Sequence, residues 1–294
     1  MDRIELRRYY DWLSRFQRVT SWIGQGGGYQ SFTVHRLLTS TDPGVAGADV
    51  VHERILGAAG PDLKVRTTTG GAPRVVDAGC GLGGTIFYLH RRLGGTYDGL
   101  TLSATQRARA EREAKRRGVE EACRFHLRSY DDDLQALVPD GADLIVAIES
   151  LAHSPEPSRS IANLARTLRR GGRLIVVDDV PHERLPWGDD DFEGFREGWR
   201  CRSISGHAAL LASMSGAGLT IDADDDLTGL VPLRDPDALE RLVKSNRRWR
   251  TWAGWTGAAE LIDSLHGGLM LERLYRRGLM QYRLVAARRT AASG

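Results

Sequence analysis

A carboxylate and an imidazole, Glu149 and His153, stand four residues apart immediately after the apolar run at residues 142–148. An alcohol that attacks an electrophile must lose a proton, and either side chain can accept it as a general base. An alkene instead attacks first and becomes a carbocation, which a carboxylate can stabilise before it removes a proton from carbon. The alternative interpretation is that Glu149 bonds a cofactor or a lid and that His153 only orders its loop.

A second carboxylate, Asp77, precedes a glycine-rich turn in the stretch V-V-D-A-G-C-G-L-G-G-T at residues 75–85. Gly79, Gly81 and Gly84 satisfy the G-x-G-x-x-G dinucleotide fingerprint, which also needs an acid at the end of the next strand. That strand, at residues 96–103, ends in Thr and Ser instead. An acid before the glycines repels a pyrophosphate but suits a ligand that carries an ammonium and a sulfonium.

The run V-D-A-G-C-G-L-G-G resembles the first motif of the class I S-adenosylmethionine-dependent methyltransferases. Later segments fall in that family's order, so the resemblance covers about residues 70–180. It implies S-adenosyl-L-methionine as cofactor. The positions that match its cofactor contacts are Asp77, Gly79, Cys80, Gly81, Thr101, Leu102, Ser103, Gln106, Ser129 and Tyr130.

Two of these positions have a second interpretation. Ser103 is also suited to cap the helix that follows it, because Ser is a favoured N-cap residue. Ser129 stands where many relatives have an Asp, which puts the adenine contact in doubt, and Tyr130 can replace it.

The segment A-I-E-S-L-A-H-S-P at residues 147–155 resembles one in sterol C-methyltransferases and, in part, one in bacterial natural-product O-methyltransferases. The resemblance implies catalytic roles for Glu149 and His153. It favours C-methylation of an isoprenoid or prenyl diphosphate alkene in secondary (terpenoid) metabolism, with Glu149 as the base. The alternative is O-methylation of a sugar or phenol with His153 as the base, and a nicotinamide-dependent oxidoreductase is a third hypothesis.

Aromatic and basic residues outside the motifs are the candidates for binding the substrate, since aromatic rings can wall an apolar pocket and arginines can grip a diphosphate. The substrate-binding candidates are Tyr29, Arg36, Trp187, His207, Arg247 and Tyr282. The wider set considered for a diphosphate adds Arg248, Arg250, Arg276 and Arg283.

Hydrophobic patterning predicts an α/β fold with buried parallel strands. The resemblance implies that this fold is of the Rossmann-like class I methyltransferase type, with a mostly parallel seven-stranded sheet and helices on both faces. Residues 1–70 are predicted to form an N-terminal helical cap or lid. Residues 71–294 are predicted to form the cofactor-binding domain, with substrate-covering insertions at about 181–217 and 232–278.

Composition narrows the class of protein. The chain has 294 residues and a net charge of +3, and its arginines lie beside acids, so no nucleic-acid partner is expected. No 18-residue apolar run or signal peptide appears, so no membrane partner is expected. Three widely spaced cysteines favour a reduced, cytoplasmic protein. Asp178 and Asp179 with His182 lack the spacing of a metal site, so no metal is predicted. A small molecule is the expected partner, and a homodimer is considered.

Overall fold

A seven-stranded sheet forms the centre of the computed structural model, which describes residues 32–60, 63, 71–201, 203–253 and 259–290. The strand order is β3-β2-β1-β4-β5-β7-β6; the first five strands are parallel, and β7 runs antiparallel to both neighbours. This confirms the predicted mostly parallel sheet. The strands are β1 Arg74–Ala78, β2 Thr96–Thr101, β3 Cys123–Leu127, β4 Ala142–Ile148, β5 Leu168–Pro181, β6 Leu219–Asp226 and β7 Met280–Arg289.

Helices cover both faces of this sheet, as predicted. Neighbouring strand residues point to opposite faces, so Val75 packs into one apolar cluster and Val76 into the other. The helices are α1 Val50–Ala58, α2 Gly84–Leu93, α3 Ala104–Arg117, α4 Pro157–Thr167, α5 Asp190–Gly198, α6 His207–Gly216, α7 Pro236–Ala253 and α8 Ala259–Arg276.

Side-chain caps fix where two of the helices begin. The Ser103 hydroxyl accepts a hydrogen bond from the Gln106 backbone N–H at 3.1 Å, which confirms the predicted cap of α3. The Asp189 carboxylate caps α5 in the same way, by accepting from two backbone N–H groups. Helix α4 ends at Thr167, because Leu168 already pairs with Ala142 as the start of β5.

The segments after β5 build a helical layer over one end of the sheet. Helix α8 packs between α5 and α7, and Arg273 on α8 binds both Asp191 and Glu240, which joins all three helices. No helix in the described part of the chain is both long enough and apolar enough to cross a bilayer. Residues 1–31 of the predicted N-terminal cap lie outside the described residues, and the domain boundary near residue 70 stays a prediction.

Candidate active site

A cavity of about 270 Å³ opens at the carboxyl ends of β1, β2, β4 and β5. Open α/β sheets bind their ligands at this edge, where the strand order reverses on either side of β1. Eleven of the twelve cofactor and catalytic residues expected from sequence line the cavity together with Gly84 and Ile148; they are Asp77, Gly79, Cys80, Gly81, Thr101, Leu102, Gln106, Ser129, Tyr130, Glu149 and His153. Of the twelve, Ser103 alone does not line it.

The Asp77 carboxyl group lines this cavity, and one of its oxygens has no hydrogen-bond partner among the described residues. Its side chain is 3% exposed, and Oδ2 is buried without a hydrogen-bond partner. Burial raises the pKa of this carboxyl to about 7. A buried carboxylate without a partner is costly, so the position fits a ligand that brings a cationic group.

The glycine turn lets other parts of the chain approach this ligand site closely. Gly79 and Gly81 have positive φ angles of 113° and 53°. A Cβ at Gly79 would lie 2.5 Å from the Ser150 Cβ, and one at Gly81 would lie 2.6 Å from Cγ2 of Val34. Only glycine therefore fits at either position.

The polar residues after β2 form a connected group. The Thr101 hydroxyl donates to Oε1 of Gln106 at 2.8 Å and accepts from the Ser103 N–H at 3.1 Å. Ser103 is fully buried behind this wall, so the structure gives it the role of helix cap and not of a cavity contact. Its expected place among the cofactor contacts is corrected accordingly.

The loop after β3 presents a ring and a hydroxyl that are already bonded. The Ser129 hydroxyl donates to Asp131 and accepts from its backbone N–H, at 3.2 and 3.1 Å. The Tyr130 hydroxyl donates to the Ser150 carbonyl at 2.9 Å, which holds its ring in the cavity wall. Tyr130 can therefore stack its ring face on a planar ligand group, and Ser129 can contact the same group.

Glu149 ends the next strand in a strained conformation. Its φ of 46° is rare for a residue with a side chain and turns it out of the strand direction. Oε1 accepts from the Arg36 backbone N–H at 2.9 Å and from the Tyr282 hydroxyl at 2.8 Å. No bond from the described residues reaches Oε2. One carboxylate oxygen is thus anchored and the other is open to the cavity, which Glu149 lines.

Arg36 joins the segment before α1 to this carboxylate and to Asp179. Its Nη2 lies 3.0 Å from each oxygen of Asp179, and its guanidinium lies over the rings of Tyr275 and Tyr282 at 5.1 and 5.4 Å. Burial opposes the Arg36 charge, but Asp179, Tyr275 and Glu149 outweigh it, and the pKa of Arg36 is raised. Arg36 and Tyr282, expected to bind substrate, instead hold Glu149 in place and do not line the cavity.

His153 also lines the cavity, on the short helical turn Leu151–His153. Burial lowers its pKa to about 4, although a backbone hydrogen bond at Arg200 opposes this shift. Its Nδ1 lies 3.8 Å from the Cys201 sulfur. The imidazole is therefore neutral at neutral pH and sits in an enclosed part of the wall.

Asp178 and Asp179 close the far end of the cavity. Burial and then the neighbouring charge of Asp179 raise the pKa of Asp178 well above its usual range. Its oxygens accept from the backbone N–H groups of Ala152 and Asp179, at 3.2 and 3.0 Å. Within the described residues, no group of three or more His, Cys, Asp or Glu side chains is placed to hold a metal ion.

Three of the remaining substrate-binding candidates lie elsewhere. Trp187 is 103% exposed in the loop before α5, and Arg247 is exposed on α7. The His207 Nε2–H donates to Oδ2 of Asp224 on β6 at 2.8 Å, so the partner of this imidazole is a carboxylate of the protein itself. None of them is part of the cavity wall. Tyr29 lies outside the described residues.

Sequence reasoning also missed residues that the fold brings to this site. His35 lines the cavity and bonds His52 between their Nε2 atoms at 3.0 Å, and burial lowers its pKa to about 3. The Tyr275 hydroxyl bonds Asp179. Phe195 and Trp199, on the predicted aromatic insertion, do reach the wall. Only the last pair had a sequence signal, which was their clustering among acids.

The part of the chain that matches known proteins contains much of the lining of this cavity. Residues 76–176 match a family model described as a methyltransferase domain. The chain is similar to methyltransferase GfsG of Streptomyces halstedii, with 36% identity over 36% of this chain and 38% of that protein. It is similar to the chloroplastic tocopherol O-methyltransferase of Arabidopsis thaliana, with 32% identity over 42% of this chain and 35% of that one. The chain thus matches less than two-fifths of the length of either relative.

Solved structures share the fold over a longer range. The [4+2]-cyclase SpnF aligns with a TM-score of 0.65 and 24% identity, over 88% of both chains. The geranyl diphosphate C-methyltransferase of Streptomyces coelicolor A3(2), solved with Mg²⁺, geranyl diphosphate and S-adenosyl-L-homocysteine, aligns with a TM-score of 0.62 and 19% identity. That alignment covers 98% of this chain and 97% of the other. At these identities the likeness concerns the fold.

Proposed function

We propose that this chain, which carries a class I S-adenosylmethionine-dependent methyltransferase domain, methylates a carbon atom of an alkene in an apolar, isoprenoid-like small molecule. Glu149 is the residue that stabilises the developing positive charge and then accepts the proton. The observation that carries this proposal is the held carboxylate of Glu149, with Oε1 anchored by two donors and Oε2 without a bond from the described residues.

The cofactor end of the cavity fits S-adenosylmethionine. The unpaired Oδ2 of Asp77 suits the ammonium group, and the bare backbone of Gly79 and Gly81 admits the chain of the amino acid. Thr101 and Gln106 face the ribose side, and Tyr130 offers a ring face beside the adenine. When bound, this cofactor supplies an electrophilic methyl group, which needs no acid to leave its sulfur.

The acceptor end of the cavity suits an uncharged molecule that becomes cationic during the reaction. The aromatic rings of Phe195 and Trp199 line it, and such rings tolerate positive charge on their faces. The Glu149 carboxylate, whose Oε2 has no bond from the described residues, lines the same cavity. Because a carbocation is stabilised by nearby negative charge, this wall favours alkene methylation over attack by an anion.

The same observations limit what the acceptor carries. The Arg36 guanidinium is bound to Asp179, and Arg283 is bound to Asp224 together with His207. Arg36 and Arg283 are therefore already paired with internal carboxylates, which weakens the support for a diphosphate grip by these two residues. The proposal concerns the alkene and leaves the diphosphate out.

A second candidate is O-methylation with His153 as the base. Its support is that the imidazole lines the same cavity and that a pKa of about 4 leaves it neutral and able to accept a proton. The low pKa makes it a weak base, and Glu149 is favoured by geometry, because two donors anchor its carboxylate. A nicotinamide-dependent reaction has less support, because β2 ends at Thr101 without the acid that would bind a ribose.

The test is a methyl-transfer assay with methyl-deuterated S-adenosylmethionine and a panel of isoprenoid alkenes, phenols and glycosides. Products are located by mass spectrometry and NMR. We expect label on carbon, and a loss of at least roughly a hundredfold in kcat for Glu149→Gln with unchanged cofactor affinity. The matched control is Glu121→Gln, an exposed position before β3, which should keep full activity.

Each outcome separates the candidates. Label on oxygen, lost in His153→Asn but kept in Glu149→Gln, would replace the proposal with the second candidate. Label on carbon with full turnover in Glu149→Gln would remove Glu149 as the base. Cofactor binding without methyl transfer to any class of acceptor would overturn alkene methylation itself.

A further inference from the structure

Helix α7 has a solvent face that the function proposed above does not use. Leu239, Val243 and Asn246 face the core and are buried. On the flank beside them, two large apolar side chains are exposed, Leu242 at 45% and Trp249 at 64%. They are seven residues apart, which places them on one side of the helix, two turns from each other.

A row of basic residues lies next to this apolar pair. Arg241, Lys244 and Arg248 are exposed and follow the i, i+3, i+7 spacing of one helix side. None of the three has an ion-pair partner among the described residues, whereas Arg250 on the same helix pairs with Asp263 at 2.9 Å. The basic row is roughly 100° around the helix from the apolar row.

This combination of exposed cations with exposed Leu and Trp matches the requirements of an anionic lipid surface. Basic side chains are attracted to acidic headgroups and can extend toward them, while Trp and Leu enter the boundary with the acyl chains. A nucleic acid fits less well, since the net charge of the whole chain is only +3. The prediction of no membrane partner concerned spanning helices and does not address such a surface contact.

Helix α7 is connected to the wall of the cavity through α8. The Asn246 side chain donates to the Ile262 carbonyl at 3.1 Å, which ties α7 to the start of α8. Two residues further on, Ser264 lines the cavity, and its carbonyl accepts from the Trp199 ring N–H at 3.0 Å. The solvent face of α7 therefore belongs to a helix that packs directly against the cavity wall.

We propose that α7 docks the protein onto an anionic lipid surface through Arg241, Lys244 and Arg248, with Leu242 and Trp249 entering the headgroup layer. In that position an apolar acceptor dissolved in the lipid can enter the cavity from the side of α7 and α8. This use of the surface rests on the proposed function, but the docking itself does not.

The experiment is flotation of the full chain with vesicles, without any methyl acceptor, so that its result is independent of the reaction. One set of vesicles contains equal parts of phosphatidylcholine and phosphatidylglycerol, and the other contains phosphatidylcholine alone. We expect binding to the first set only, weakened by salt. The affinity for anionic vesicles should fall at least about a hundredfold in the triple variant Arg241→Glu, Lys244→Glu, Arg248→Glu. In Trp249→Ser it should fall several-fold.

A charge-matched control uses exposed bases on other surfaces, Arg112→Glu, Lys115→Glu and Arg170→Glu, and should bind as the unaltered protein does. Equal loss in this control would show that net charge, and not α7, causes binding, and would overturn the proposal. So would a lack of binding to anionic vesicles. Retention on single-stranded DNA at the same salt without vesicle binding would likewise overturn it and assign the helix to nucleic acid.

Discussion

Replacing Asp77 by Asn should make the protein without ligand more stable while it weakens cofactor binding. The Asp77 carboxyl is buried, one of its oxygens has no partner, and its pKa rises from 3.8 to about 7. Between pH 3.8 and 7 the folded state therefore keeps a proton that the unfolded state has lost. Above pH 7 the buried carboxyl is ionised, which destabilises the folded state. Asn has nearly the same shape and never carries the charge.

The shift of about 3 pH units corresponds to at most roughly 4 kcal/mol above pH 7, since one unit is about 1.4 kcal/mol. The penalty is absent below pH 3.8 and grows as the pH rises to 7. The stabilisation by Asp77→Asn should therefore be small at pH 4.5 and near its maximum at pH 8. Loss of a charged contact to the cofactor should weaken its binding roughly ten- to a hundredfold.

The assays are denaturant unfolding at the two pH values and calorimetric titration with S-adenosyl-L-homocysteine. Asp98→Asn is the matched control: Asp98 is also fully buried, one strand away, but it binds Arg74 at 3.1 Å and His126 at 2.9 Å. That variant should lose stability and keep cofactor affinity. If Asp77→Asn gains no stability at pH 8, or binds the cofactor unchanged, the reasoning about its unpaired oxygen is wrong.

Two further variants test the surroundings of Glu149. Arg36→Met should lower the free energy of unfolding by about 3–5 kcal/mol, because it leaves Asp179 buried without its cation. Adding Asp179→Asn should recover much of this loss. Additive losses in a double-mutant cycle would contradict the pairing. Lowering the pH from about 7 to about 5 should destabilise the protein through His153. The pKa of this imidazole is about 4 in the folded state and 6.5 in the unfolded state, so the unfolded state takes up a proton first as the pH falls. His153→Asn should remove about 2 kcal/mol of that pH dependence in urea unfolding, and an unchanged slope would show that the imidazole is not buried neutral.

The strand-end positions could be predicted because they depend on local signals. An apolar run that ends in an acid places that acid at the carboxyl edge of a parallel sheet, and this reasoning located Asp77 and Glu149 correctly. The cap at Ser103 was predicted for the same reason, from the residue type and the helix after it. Local patterns do not reveal which of several polar residues faces the ligand and which faces inward.

The partners of Glu149 could not be predicted in this way. Arg36 and Tyr282 lie 113 and 133 residues from it in sequence, and their types suggested substrate contacts. Likewise, His207 looked free until the fold brought Asp224 beside it. Composition counts cations but does not show which carboxylate neutralises each one, so the pairing of Arg36 with Asp179 and of His207 with Asp224 could not be predicted.

The place of β7 in the sheet has a consequence for the order in which the protein is made. Strand β7 pairs with β5 on one side and β6 on the other, so β6 has no partner until residues 280–289 have left the ribosome. The strands that carry the cofactor turn, β1 to β5, are synthesised long before. The Tyr282 hydroxyl that anchors Glu149 arrives last. A nascent chain can therefore form its cofactor pocket early, while Glu149 acquires its final geometry only after Tyr282 has been synthesised.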